Sequence, residues 1–187
     1  MLPKSVGHMV IDRLLEIRST RASTVERESK RWPVSIQLDR SLVQNRLWIF
    51  SDGGALGWHA VVLIESGLAH RVAMCRPNSA RNVGSELDGV ILGLQLAITG
   101  SSIVIVSDFL WTGYYINGWR AVSHPYLRER VPVARDLLVS KQFADPVFIH
   151  HGGHDGEATD YSRWNEMADT LCKQRMAVDD RIEVVPP

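Results

Sequence analysis

Two short apolar runs end on an aspartate: "RLWIFSD" on Asp52 and "SSIVIVSD" on Asp108. A continuous apolar run bounded by polar residues predicts a strand covered on both faces. Such a strand needs helices packed above and below it. The remaining pattern meets that demand. After short glycine-bearing links, "WHAVVLIES" and "LAHRVAMC" extend the first run into an antiparallel meander of three strands. In "SELDGVILGLQLAIT", Leu87, Val90, Ile91, Leu94 and Ala97 share one helical face, with Ser85 as the expected cap and Gly100 as the expected stop. Beyond Asp108 a helix is expected over "FLWTGYYING", ending at Asn117-Gly118. Pro125 is read as an interruption, "RERVPVARDLLVSK" as a further helix, "DPVFIHH" as a buried strand and "RWNEMADTLCKQRMA" as a closing helix. Strands first and alternation afterwards predict an α/β fold built on one mixed sheet.

A length of 187 residues suits one well-filled domain with an appendage. The formal net charge is zero, so the whole chain gives no hint of a nucleic-acid partner, but the charge is unevenly spread. Residues 1–48 carry nine Lys/Arg against five Asp/Glu, and the remainder twelve against sixteen. A basic arm beside a carboxylate-rich site fits this asymmetry, as does a solvated helix surface. Val10, Leu14, Leu15 and Ile17 have helical spacing, and Pro33 breaks any helix downstream. The expected organisation is a basic extension of helix plus linker at 1–43 and a catalytic α/β domain at 44–187. Two cysteines make no disulfide framework, no apolar run reaches a membrane span, and the charged N-terminus does not read as a signal peptide. An intracellular setting, cytoplasm or nucleus, is expected.

Four isolated acids stand at the ends of elements: Asp52 and Asp108 at strand ends, Glu86 in the first turn of a helix, Asp169 early in the last helix. Each lies in apolar sequence, where a carboxylate is costly unless paired or bound to a metal. If the strands ending in Asp52 and Asp108 are adjacent and parallel, both carboxylates sit where open α/β sheets bind ligands. Converging carboxylates repel, and hard divalent cations such as Mg²⁺ or Mn²⁺ relieve that repulsion. Taken singly, each acid is also ordinary turn chemistry or helix-dipole compensation. The histidines His150, His151 and His154 raise zinc as an alternative, since His150 and His154 have i, i+4 spacing. Two intervening glycines and a preceding strand argue against a helix there. His150 and His151 then read as strand-end residues, and His154 as a loop residue titrating near neutrality.

The stretches "WIFSDGG", "RNVGSELDGVILGLQLA", "IVIVSDFLWTGYYINGW" and "IHHGGHDG…WNEMADTL" together resemble the type 1 ribonuclease H family, over roughly residues 46–175. The short "DGGALGWHA" turn resembles the compact form in retroelement ribonuclease H domains. The resemblance implies a five-stranded mixed sheet, three strands antiparallel and then two parallel, with helices on both faces. It implies hydrolysis of the RNA strand of RNA/DNA hybrids to 5′-phosphate products, with two Mg²⁺ ions about 4 Å apart and Mn²⁺ as substitute. Asp52, Glu86, Asp108 and Asp169 fall on the family's metal-binding acids, with Asp52 as the bridging ligand, and His154 on its mobile-loop histidine. Asn165 matches a recurrent asparagine, and Asn82 a position touching the hybrid's minor groove. Gly53, Gly54 and Asn82 are candidates on the RNA side; Tyr115, Trp119 and Arg120 are candidates on the DNA side. Trp58 and Trp164 are read as packing residues or loop anchors. Phe109 and Leu110 depart from the family's polar residues after the third acid. Residues 1–43 could hold phosphates, dock a protein partner or link the domain to a parent polyprotein such as a reverse transcriptase. Alternative functions are a DNA nuclease or strand-transfer enzyme on the same fold, a non-catalytic nucleic-acid-binding scaffold, and a zinc-binding module.

Overall fold

The computed structural model describes residues 46–152 and 160–184. The elements are β1 (Leu47–Gly53), a 3-10 turn (Ala55–Gly57), β2 (Trp58–Glu65), β3 (Leu68–Cys75), α1 (Arg81–Leu96), β4 (Ser102–Ser107), α2 (Leu110–Asn117), α3 (Pro125–Ser140), β5 (Ala144–His150), α4 (Asp160–Gln174) and β6 (Val178–Glu183). One sheet has the order β5-β4-β1-β2-β3-β6. β1, β4 and β5 run parallel, while β1, β2, β3 and β6 pair antiparallel. This is the expected mixed α/β sheet with one strand more.

The sixth strand, "VDDRIE", carries its charges where a buried strand would be apolar. It forms on the sheet edge, where solvent tolerates them and charge discourages further pairing. Cross-strand partners hold it to β3: His70 Nε2 lies 2.7 Å from an Asp179 carboxylate oxygen, and Arg71 donates to both oxygens of Asp180 at 2.7 and 2.5 Å.

Alternate residues of each central strand face opposite ways. Leu47, Ile49, Val61 and Leu63 pack against α1, α2 and α3, with Leu87, Val90, Ile91, Ile116, Val131 and Ala134 among the buried partners. Trp48, Phe50, Val62 and Ile64 pack against α4 through Trp164, Ala168, Leu171 and Cys172. Trp164 is therefore core, as read from the sequence, and Trp58 is half-buried.

Several helix boundaries differ from expectation. Helix α1 begins at Arg81, not at Ser85, so Ser85 is an interior residue. Its hydroxyl donates to the Arg81 carbonyl at 3.3 Å and accepts from the Asn78 amide at 3.2 Å, which ties the early turn to the preceding loop. The helix ends at Leu96; a remote Lys141 donates to the Ala97 carbonyl at 2.6 Å and also to the Gln95 carbonyl, satisfying acceptors that a helix end leaves open. Pro125 does not interrupt but occupies the first turn of α3, where its missing N–H is no loss. Helix α2 stops at Asn117 with Gly118 in the left-handed conformation (φ 78°), as expected.

Candidate active site

Helix α1 approaches β1 unusually closely because small residues line the contact. A Cβ on Gly93 would lie 2.3 Å from Ile49 Cγ2, and one on Gly89 3.0 Å from the Asp52 carbonyl oxygen. A Cβ on Gly53 would lie 2.0 Å from the Glu86 backbone nitrogen. Gly53 is thus required for packing, which its expected role toward RNA did not reveal. Each interior helix glycine costs about 1 kcal/mol relative to alanine. Close packing of helix on strand offsets that cost and brings Glu86 to the end of β1. A buried ion pair fixes the same helix from its other side: Arg130 of α3 donates to Asp88 at 2.6 Å, and the Tyr126 hydroxyl donates to the second Asp88 oxygen.

Asp52, on β1, points to the α4 side of the sheet; Glu86 comes from α1 on the other side. They meet at the C-terminal ends of the parallel pair β1 and β4, where Asp108 follows Ser107 directly. Ligand atoms of Asp52, Glu86 and Asp108 all lie within 4.8 Å of one another. Among the described residues this is the one group of three such side chains close enough to share an ion. Asp52 and Glu86 are each only 6% exposed. Burial, then repulsion by Asp108 and Asp169, pushes the Asp52 carboxyl up to about 6, against a lowering hydrogen bond from Cys172. Burial, with Asp52 and Asp108 adding, pushes Glu86 well above the carboxylate range. A cluster that resists ionisation without a counter-charge has the donor set for a hard divalent cation.

Asp169 stands on the tenth residue of α4, later in the helix than expected, because α4 starts at Asp160. It is near enough to raise Asp52, yet its carboxylate accepts a 2.6 Å hydrogen bond from Lys173 one turn on. Lys173→Gln is expected to tighten Mg²⁺ binding about two- to threefold, the scale of an exposed ion pair. Calorimetric titration measures this, and unchanged affinity would show that Asp169 takes no part in holding the ion.

Asn165, one turn before Asp169, is buried with its Oδ1 lacking a hydrogen-bond partner among the described residues. Asn82 is exposed on the first turn of α1. Gly54 packs against Cys172 and donates its N–H to the Trp58 carbonyl at 2.8 Å. Trp119 and Arg120 are not part of the carboxylate cluster. Their backbone follows α2, but the Arg120 side chain folds back so that its guanidinium lies 3.7 Å over the ring of Trp111 in the first turn of that helix, while Trp119 meets Tyr114 edge-on at 5.4 Å. Tyr115 is half-buried against the α1 core rather than presented outward. His154 lies outside the described residues.

The other two histidines have local partners. His150 Nε2 lies 2.7 Å from the Asp108 carbonyl oxygen, which only accepts, so the proton sits on Nε2 and the ring holds the backbone beside the acid. His151 is buried, 3.4 Å from the Ser162 hydroxyl. Three contributors had no sequence reading. Ser107 donates to Glu86 at 3.4 Å and accepts from the Phe109 N–H at 3.1 Å. The Cys172 thiol reaches the Asp52 carbonyl at 3.3 Å. Lys173 had a signal available, the i, i+4 spacing from Asp169.

The turn after β1 is strained. Leu56 is left-handed (φ 61°, ψ 19°) and 70% exposed. His59 beneath it is buried and hydrogen-bonded through Nδ1 to the Gly57 carbonyl at 3.0 Å. Leu56→Gly is expected to raise stability by about 0.5–1 kcal/mol, the left-handed penalty relieved less the entropy glycine adds to the unfolded chain. A urea midpoint measures it, and a loss of stability would mean that the leucine side chain packs.

No family model matches the chain, and no curated protein matches it. Solved structures do. A ribonuclease H1 from the halophilic archaeon Halobacterium salinarum is 21% identical, with a TM-score of 0.56 over 70% of this chain and 96% of its own. A ribonuclease H1 isolated from compost by a metagenomic approach is 17% identical, with a TM-score of 0.52 over 70% of this chain and 98% of its own. The same protein in complex with an RNA/DNA hybrid gives 18% identity and a TM-score of 0.52, over 69% of this chain and 98% of its own. At such identities the likeness is one of fold: the chain has the ribonuclease H-like fold.

Proposed function

From that fold and its carboxylate cluster, we propose that the chain is a metal-dependent endonuclease that hydrolyses the RNA strand of RNA/DNA hybrids. The observation that carries the reading is the convergence of Asp52, Glu86 and Asp108 within 4.8 Å at the ends of two parallel strands. The complex of the compost ribonuclease H1 with an RNA/DNA hybrid supports the substrate class. Asp52, Glu86 and Asp108, with Asp169 beside them, would hold Mg²⁺, or Mn²⁺ in its stead. A bound divalent cation supplies Lewis-acid stabilisation of a phosphate and a water of lowered pKa.

The protein's own part is positioning. β1 fixes Asp52 through its backbone, and Cys172 hydrogen-bonds to that same backbone. Ser107 orients Glu86, and His150 restrains the backbone at Asp108. Burial strengthens every charge interaction among them. Asn82 and Gly53 lie on the α1 side and Gly54 against Cys172 of α4; all three are assigned to the RNA strand. Asn165 is assigned to substrate at the cluster itself, and Trp119 with Arg120 to the DNA strand. His154 is assigned to proton transfer or product release, and the basic stretch in residues 1–43 to nonspecific phosphate contact, which salt weakens.

The test is a panel of end-labelled substrates with Mg²⁺: hybrid, duplex DNA, duplex RNA and single-stranded RNA. Cutting of RNA in the hybrid alone is expected. Cutting of duplex DNA would instead favour a strand-transfer type of nuclease. Tight hybrid binding without turnover, even with Mn²⁺, would favour a scaffold.

A further inference from the structure

At the end of the sheet opposite the carboxylates, the α1 side is not fully covered. Helix α1 packs on β1 and β2 and stops at Leu96, leaving a groove of about 190 Å³. Leu47 and Leu63 form its buried floor. Leu68, Leu96 and Ile98 form its wall and are 44%, 37% and 59% exposed, an apolar cluster unlike scattered surface leucines. Glu65 and Arg181 flank it with one charge of each sign.

The chain itself supplies an occupant. The described residues begin at Arg46, one residue before the Leu47 floor, and 45 residues precede it. In that stretch "MVIDRLLEIRS" puts Val10, Leu14 and Ile17 at i, i+4 and i+7, the anchor spacing of a helix laid in an apolar groove. Arg13 and Arg18 flank that face, in position to meet Glu65 at the groove's edge, and Asp12 and Glu16 lie on the far side. The tether from 19 to 45 has a root-mean-square reach on the order of 30 Å if flexible. A groove at the tether's own root is therefore exposed to the segment at an effective concentration in the range of about a millimolar. A free partner would need comparable affinity and abundance to displace it.

We propose that residues 9–18 dock as an amphipathic helix in the groove formed by Leu47, Leu63, Leu68, Leu96 and Ile98 of the same chain. Docking anchors the basic extension at the far end of the sheet from the carboxylates, and it does not depend on the proposed hydrolysis. Hydrogen exchange read by mass spectrometry on the full chain tests it without any activity assay. Amides of 9–18 are expected to exchange about tenfold or more slowly than an unstructured chain. Ile98→Asp, a change on an exposed wall residue, should return them to the unstructured rate while the amides of β1 and β4 stay protected. Leu14→Asp should do the same from the other side and speed exchange around Leu96. Three results would overturn the proposal: unstructured exchange of 9–18 in the wild type, protection that survives Ile98→Asp combined with Leu68→Asp, or protection that rises with protein concentration alongside a doubled mass. The last would assign the groove to a second copy.

Discussion

Asp52→Asn is expected to abolish RNA cleavage and, in the metal-free protein, to raise thermal stability at pH 7.5. Asp52 is buried beside other acids, and its carboxyl is pushed from 3.8 up to about 6. Between those values the native state binds more protons than the unfolded chain. Stability therefore falls as pH rises through that window, and the whole penalty is present above it. Two units correspond to about 3 kcal/mol, an order-of-magnitude figure. Asparagine has the same shape and no charge, so it removes the penalty. Calorimetry in EDTA should give a melting temperature several degrees above wild type at pH 7.5 and little difference at pH 4. Equal destabilisation at both pH values would mean that Asp52 is a structural residue. Saturating Mg²⁺ should reverse the order, because an ion held by the native state stabilises the wild type by mass action.

Gly53→Ala should be nearly as damaging, by a steric route. The added methyl would lie 2.0 Å from the Glu86 nitrogen, 2.4 Å from the Ser85 carbonyl carbon and 2.5 Å from the Glu86 Cα. All three are backbone atoms, so no side chain can swing away. Helix α1 must move off β1 by about 1 Å or more to restore van der Waals contact. Overpacking of this kind costs about 1–3 kcal/mol. The same shift separates Glu86 from Asp52, and a misplacement near 1 Å lowers turnover by about a hundredfold. Unfolding and kinetics measured on one preparation check both effects. Unchanged turnover in a folded variant would show that the spacing of Glu86 and Asp52 does not limit the reaction.

The carboxylate cluster was legible in the sequence for a physical reason. "WIFSD" and "IVIVSD" announce buried strands, and an acid at the end of each is anomalous enough to need a partner. Glu86 follows from the apolar helical face that starts at Leu87. The glycines were harder. Gly53, Gly89 and Gly93 look like turn residue and helix weakeners, and only the close contact of α1 with β1 explains them. Strand β6 is hard to read because charged residues separate the few apolar ones, Val178, Ile182 and the following Val184, that pack against the core, and those charges find partners only across the sheet edge. The start of α1 at Arg81 is hidden because Asn78 and Ser85 act through a contact that spacing along the chain does not encode. Pro125 looks like a breaker from sequence, but it occupies the first turn of a helix, where proline fits best. Lys173 and Cys172 lie within four residues of Asp169, yet their partners become evident only once α4 is set against β1.

On the proposed function, these acids hold a divalent cation for cutting RNA paired to DNA. The most direct test is cleavage of an RNA/DNA hybrid labelled on the RNA strand, titrated with Mg²⁺, for wild type and Asp52→Asn prepared side by side. Wild type should cut only the RNA, saturably with Mg²⁺, leaving 5′-phosphate ends, and EDTA or Asp52→Asn should eliminate cutting. Equal cleavage by both proteins, or cleavage that persists in EDTA, would contradict the account.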